Sequence, residues 1–164
     1  MACRGVHFAI TQGDADRLLR ATSDESVLEI VQEDIEQRWD EGWLYESDKA
    51  WDAIHRCLTD GSLDQDGGTY PLKLAILGGK QLHAGDHYII SLVTPGEVRD
   101  VASQLSKIDM NWLRQQYNAI DPEQYGMPKS EDDWQYTWDY YAGLPEFFSR
   151  AARADRYVIF TVDQ

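Results

Sequence analysis

The 164-residue chain carries 15 basic against 29 acidic residues, a formal net charge of -14, with 43% hydrophobic and 27% charged residues. That length lets a single domain, residues 1–164, remove ~70% of its unfolded surface from water, and the composition is that of a folded globular protein. The negative field repels phosphate backbones and anionic lipid headgroups, so nucleic acid and membrane are not expected as partners, whereas a basic protein or a cationic ligand is steered in.

Residues 5–11, GVHFAIT, alternate as a half-buried strand does, with Val6, Phe8 and Ile10 on one face and His7, Ala9 and Thr11 on the other. Asp14 is placed to cap a short helix reaching Ala21. Asp24 or Ser26 then starts a longer one whose Leu28, Val31, Ile35 and Trp39 share a side, with Glu29, Glu33, Glu36 and Asp40 largely opposite as a solvated stripe. Ser47 is the expected cap of the next helix, which runs to Leu58 or Thr59 before the Gly-rich DQDGG turn ends it. A short apolar turn, LKLAIL, follows Pro71. HYIISLV, residues 87–93, is rich in β-branched and aromatic residues and reads as a central strand. TPGE at residues 94–97 is a capping box with proline at the first helical position, and Val98, Val101, Leu105 and Ile108 give that helix its buried stripe. Asp109 begins another helix, and Ser130 caps one bearing Trp134, Trp138 and Tyr141. Gly143 and Pro145 restart the chain as PEFFSRAARA, and RYVIFTV, residues 156–162, closes it as a strand. Few strands and several helices without a regular βαβ alternation predict an α+β fold, with a small mixed sheet that joins the N-terminal, central and C-terminal strands.

The helix beginning SDKAWDAIHRCLT holds the densest set of chemical groups. At 100° per residue, Trp51, Ile54 and Leu58 face the core, while Asp48, Asp52, His55 and Thr59 line the edge beside Trp51. A histidine with a carboxylate neighbour is raw material for a general base. The plainer reading is that Asp52 pairs with Arg56 and His55 bonds a backbone carbonyl. His83, Asp86 and His87 have an HxxDH spacing with His7 as a conceivable third imidazole, but the segment runs from a loop into a strand, so convergence on a metal is not expected. Ser62, Asp64, Asp66 and Gly67 resemble half a calcium loop, yet Lys73 stands where the bidentate glutamate belongs, and the stretch reads as a surface turn. Trp112 falls off the apolar face set by Met110, Leu113 and Tyr117, which predicts an exposed contact anchor. No GxxxxGKS, GxGxxG, GxSxG or HExxH motif is present, so no cofactor is called for. Cys3 and Cys57 are too few for a disulfide scaffold, and no leader-like or spanning apolar run is seen, which sets the cytoplasm as the expected location.

GVHFAI at the start, DKAWDAIHRCLT, PLKLAILGG and the final helix followed by YVIFTV together make the chain resemble the YfbM-like family of bacterial proteins of unknown function. The resemblance implies one YfbM-like α+β domain and puts Lys49, Trp51, Asp52, His55, Leu58 and Thr59 on the family's recognisable element. It implies no reaction. The stretch at residues 33–45 lies outside the matching segments.

From the residues, the leading expectation is a non-enzymatic acidic module that engages a basic protein and, in one form, neutralises or regulates it. The competing expectation is a small-molecule binder or small enzyme with a pocket walled by Trp51, Asp52, His55 and the polar strand face of His7 and His87.

Overall fold

The computed structural model describes residues 3–164. Five strands, β1 (Gly5–Ile10), β2 (Leu44–Asp48), β3 (Lys80–Gln81), β4 (Tyr88–Val93) and β5 (Tyr157–Asp163), form one sheet in the order β2-β1-β5-β4-β3. The three expected strands are its contiguous centre. Every pairing is antiparallel, so the sheet is not mixed. Phe8 pairs with Ile159 and Ala9 with Val158, and Leu92 meets Ile159 from the other side.

Helices cover both faces, giving an α+β sandwich of three layers. Val6, Phe8, Ile10, Ile90, Leu92 and Ile159 pack under α1 (Gln12–Arg20) and α2 (Asp24–Ile30). The opposite face, with Ala9, Val93, Val158, Phe160 and Val162, packs against α4 (Trp51–Leu58), α5 (Pro95–Leu105), α6 (Met110–Ala119), α8 (Glu131–Tyr141) and α9 (Leu144–Arg153). A short α7 (Pro122–Tyr125) links α6 to α8. β1 is therefore buried at all six positions, not on one face alone, because a second helical layer replaces the solvent.

Local chemistry explains most helix starts. The Glu97 side chain accepts from the Thr94 backbone N–H at 3.0 Å, completing the capping box at α5. Asp109 and Ser130 cap α6 and α8 through the N–H groups of Trp112 and Asp133. Two expected caps are reassigned. Thr11, not Asp14, caps α1, and Asp14 is instead buried between Arg17 and Arg38 at 3.2 and 2.9 Å. Ser47 lies within β2, its hydroxyl donating to the Gly5 carbonyl, and α4 begins four residues later without a side-chain cap.

The helix after Ser23 is not one regular rod. α2 runs into a π-helical turn at Val31–Ile35 and then α3 (Glu36–Arg38), and the wider turn rotates everything that follows. Val31 and Ile35 are buried as expected, with Val27 rather than the half-buried Leu28 completing the stripe. Trp39 leaves the stripe, ending α3 in a left-handed conformation (φ 40°) with its ring edge-on to Phe8, and Glu36 swings from the expected solvent side toward the sheet.

Gly5 admits a close approach. A β-carbon there would lie 2.8 Å from both Trp51 Cδ1 and the Phe160 ring, so β1 passes directly beneath the first turn of α4. Among the described residues, no helix is long and apolar enough to cross a membrane.

Candidate functional site

α4 is anchored by the residues that its sequence makes conspicuous. Trp51 is buried against Phe160, and its indole N–H donates to the Cys3 carbonyl at 2.9 Å. Asp52 accepts from Arg56 Nε at 2.7 Å, and the buried guanidinium also reaches the carbonyls of Gly61 and Gln124. His55 is 1% exposed rather than at the core boundary, because the loop following α4 folds back over it and the Asp64 carbonyl receives its Nε2 at 3.1 Å. Burial holds its pKa below the usual imidazole value, against the pull of that carbonyl and of Asp52. Thr59 donates back to the His55 carbonyl at 2.8 Å. These bonds follow the plainer reading of the helix: His55 and Arg56 secure α4 to the following loop and to α7, Trp51 ties it to Cys3, and Asp52 and Thr59 bond within the helix.

The remaining candidates do not converge with them. His7 lies wholly inside the core, ringed by Phe147, Phe148 and Phe160, with Nε2 donating to the Ala75 carbonyl at 2.7 Å and no partner for Nδ1 among the described residues. Desolvation drives its pKa down to about 4, so it is neutral at physiological pH. His87 is exposed on the other face of the sheet, edge-on to His83 at 5.5 Å, beside the acidic face of α2. The pocket expected from Trp51, His55, His7 and His87 is therefore not assembled. Trp112 is half-buried and packs against the core, so the exposed anchor is not there either. No group of three His, Cys, Asp or Glu side chains poised for a metal occurs among the described residues. The Ser62–Asp66 stretch closes on itself instead, with Asp60, Ser62 and Asp64 each accepting from the backbone N–H two residues on.

What α4 does border is an open cleft of about 430 Å³ between its first turn and α8, lined by Trp51, Asp52, Tyr125, Asp133, Tyr136 and Met127. Lys49 stands at its edge, and Leu63 and Met127 expose apolar surface on its rim. Asp48 lies behind the wall, accepting from the Tyr136 hydroxyl at 2.6 Å. Asp133, third residue of α8, accepts from the hydroxyls of Tyr117 at 2.5 Å and Tyr125 at 3.0 Å. Burial, with the carboxylate beside them, raises both phenol pKa values, so both remain donors. Asp133 makes no ion pair with any described residue, unlike Asp52. A carboxylate fixed by two phenols on an aromatic wall is organised to receive a cation with an apolar body. Sequence reasoning missed it, since nothing local separates Asp133 from Glu131 and Asp132 in the first turn of a capped helix.

The architecture is that of a small α+β protein built on one five-stranded antiparallel sheet. A family profile matches residues 1–161, and the chain belongs to that family, described as a domain of unknown function, DUF1877. Among solved structures, the crystal structure of a protein of unknown function, YfbM from Escherichia coli, is similar over 97% of this chain and 99% of its own, at 21% identity and a TM-score of 0.66, and so shares the fold. A search of curated proteins finds no match.

Proposed function

We propose that the chain is a non-enzymatic recognition module whose α4–α8 cleft receives a lysine- or arginine-bearing segment of a basic partner protein. The observation that carries this reading is Asp133, held by two tyrosyl hydroxyls beside Trp51 and Tyr136 and without a cationic partner among the described residues. The apolar rim of Leu63 and Met127 suits the stem of a long cationic side chain, and the net charge of -14 supplies steering toward a basic protein in the cytoplasm. Lys49 opposes the incoming charge and sets a limit on affinity.

The test is a titration with a synthetic peptide of alternating lysine and leucine, followed by NMR, with a glutamate–leucine peptide as control. The reading expects saturable shifts at the Trp51 indole and around Tyr125 and Tyr136 with the cationic peptide alone, weakened by salt and strengthened by Lys49→Ala. Shifts of equal size with the acidic peptide, or shifts confined to another face, would overturn it.

A further inference from the structure

On the opposite face of the sheet, the π-helical turn delivers Glu36 to a second cleft, of about 270 Å³, lined by Gln32, Glu36, Trp39, Tyr88, Thr161 and, at its edge, Arg4. The carboxylate is asymmetrically held. Oε1 accepts from the Tyr88 hydroxyl and, at 3.4 Å, from the Thr161 hydroxyl, both of which are buried. Oε2 accepts from no described residue and is left to the cleft. Glu36 makes no ion pair among the described residues, and Arg4, the cation bordering the cleft, is engaged by Glu46 at 2.5 Å and Asp48 at 3.6 Å. Glu46 and Asp163 add two further carboxylates to the lining, and Trp39, 39% exposed, supplies an aromatic surface.

We propose that this second cleft binds a small primary ammonium carried on a short apolar body, with Glu36 Oε2 accepting from the ammonium and Trp39 covering the apolar part. Three features select that class. The volume is below the ~300 Å³ at which drug-sized pockets begin, which suits a ligand of few atoms. A hard divalent ion needs six or more oxygens, and Glu36, Glu46 and Asp163 are not among any group of three such side chains placed to share a metal in the described residues. An indole beside an unpaired carboxylate favours an organic cation, which gains from the ring quadrupole as well as from the charge. Burial disfavours the charged form of Glu36 and raises its pKa, so an ammonium that offsets the lost solvation of the carboxylate has an energetic reason to bind there.

The experiment uses n-butylamine as the probe, with butyramide as its uncharged control, and follows the Trp39 indole resonance. Wild type is expected to show a saturable shift with the amine and none with the amide, and Glu36→Gln, which keeps an acceptor for Tyr88, should bind about tenfold or more weakly. Trp39→Ala, at an exposed position, should also weaken binding, read from the Tyr88 and Thr161 amides, and it serves if Glu36→Gln does not fold. Asp133→Asn should leave this titration unchanged, which separates the second cleft from the first. An equal affinity in Glu36→Gln, an equal response to butyramide, or no saturable shift in wild type would overturn the proposal.

Discussion

The two faces of the sheet use their conspicuous residues in opposite ways. On the α4 face, the residues that stand out in the sequence, Trp51, Asp52, His55 and Arg56, are all engaged in holding the helix to its neighbours. The free chemistry there belongs to Asp133, in a helix start that looks ordinary. On the α2 face, the sequence reads as a solvated acidic stripe, yet a π-helical turn takes one member of it, Glu36, into a half-buried cleft. A recognisable element can mark what builds a fold, while the groups left open to a ligand are set by how elements meet.

The sharpest way to break the first half of this comparison is to remove the anchor itself. Trp51→Ala should cost about 3–5 kcal/mol of unfolding free energy in urea, through lost packing against Phe160 and the cavity left under α4. A loss below ~1 kcal/mol would mean that the helix is not held by its tryptophan.

Acid should act next, through His7. The unfolded imidazole takes up a proton at its ordinary 6.5, whereas the folded one resists until about 4. The unfolded state therefore binds more protons across that window, and stability falls as pH drops through it, by roughly 3 kcal/mol from this group. His55, also depressed by burial, has the same sign. Denaturant midpoints compared between wild type and His7→Phe at pH 7 and pH 4.5 check this, with the variant expected to lose less stability on acidification.

His55→Ala should cost about 1–3 kcal/mol, because the Asp64 carbonyl and the packing around the ring lose their partner. The folded variant should bind the cationic peptide as wild type does. Loss of peptide binding with an unchanged melting curve would return His55 to the site and collapse the contrast between anchoring and recognition.

The smallest effect should come from Glu36→Gln. The folded carboxyl is raised above its unfolded value mainly by desolvation, so holding it charged at neutral pH costs stability that glutamine does not lose. The melting temperature of the variant should exceed that of wild type at pH 7. The advantage should shrink as pH falls through the raised value and vanish below the ordinary 4.5.

Legibility in the sequence follows the same division. The strands β1, β4 and β5 and the helices α5, α8 and α9 carry their own signals, alternation, capping boxes and periodic stripes, and the structure places them accordingly. β2 has no such signal: Leu44–Asp48 is short, polar and half-buried, and becomes a strand only by pairing with β1 at the sheet edge. β3 is two residues long and exists for the same reason. The depth of His55 depends on a loop that folds over it from beyond the helix, and the outward swing of Trp39 depends on one widened turn. Neither is encoded in a helical wheel. Of the candidate residues, Trp51 and Asp52 do reach a cleft, while Asp133 and Glu36 acquire their roles from tyrosines 8 to 52 positions away.

The account rests most directly on the affinity of Asp133→Asn for the lysine–leucine peptide. Asparagine can keep its carbonyl oxygen toward Tyr117 and Tyr125 while an amide NH2 replaces the other oxygen and the charge is lost, so the variant should melt close to wild type. It should bind the peptide about tenfold or more weakly, as expected when a charge-assisted hydrogen bond of ~1.5–3 kcal/mol is lost. An unchanged dissociation constant in a folded Asp133→Asn protein would contradict the claim that the free carboxylate of the cleft, and not the α4 element beside it, recognises the ligand.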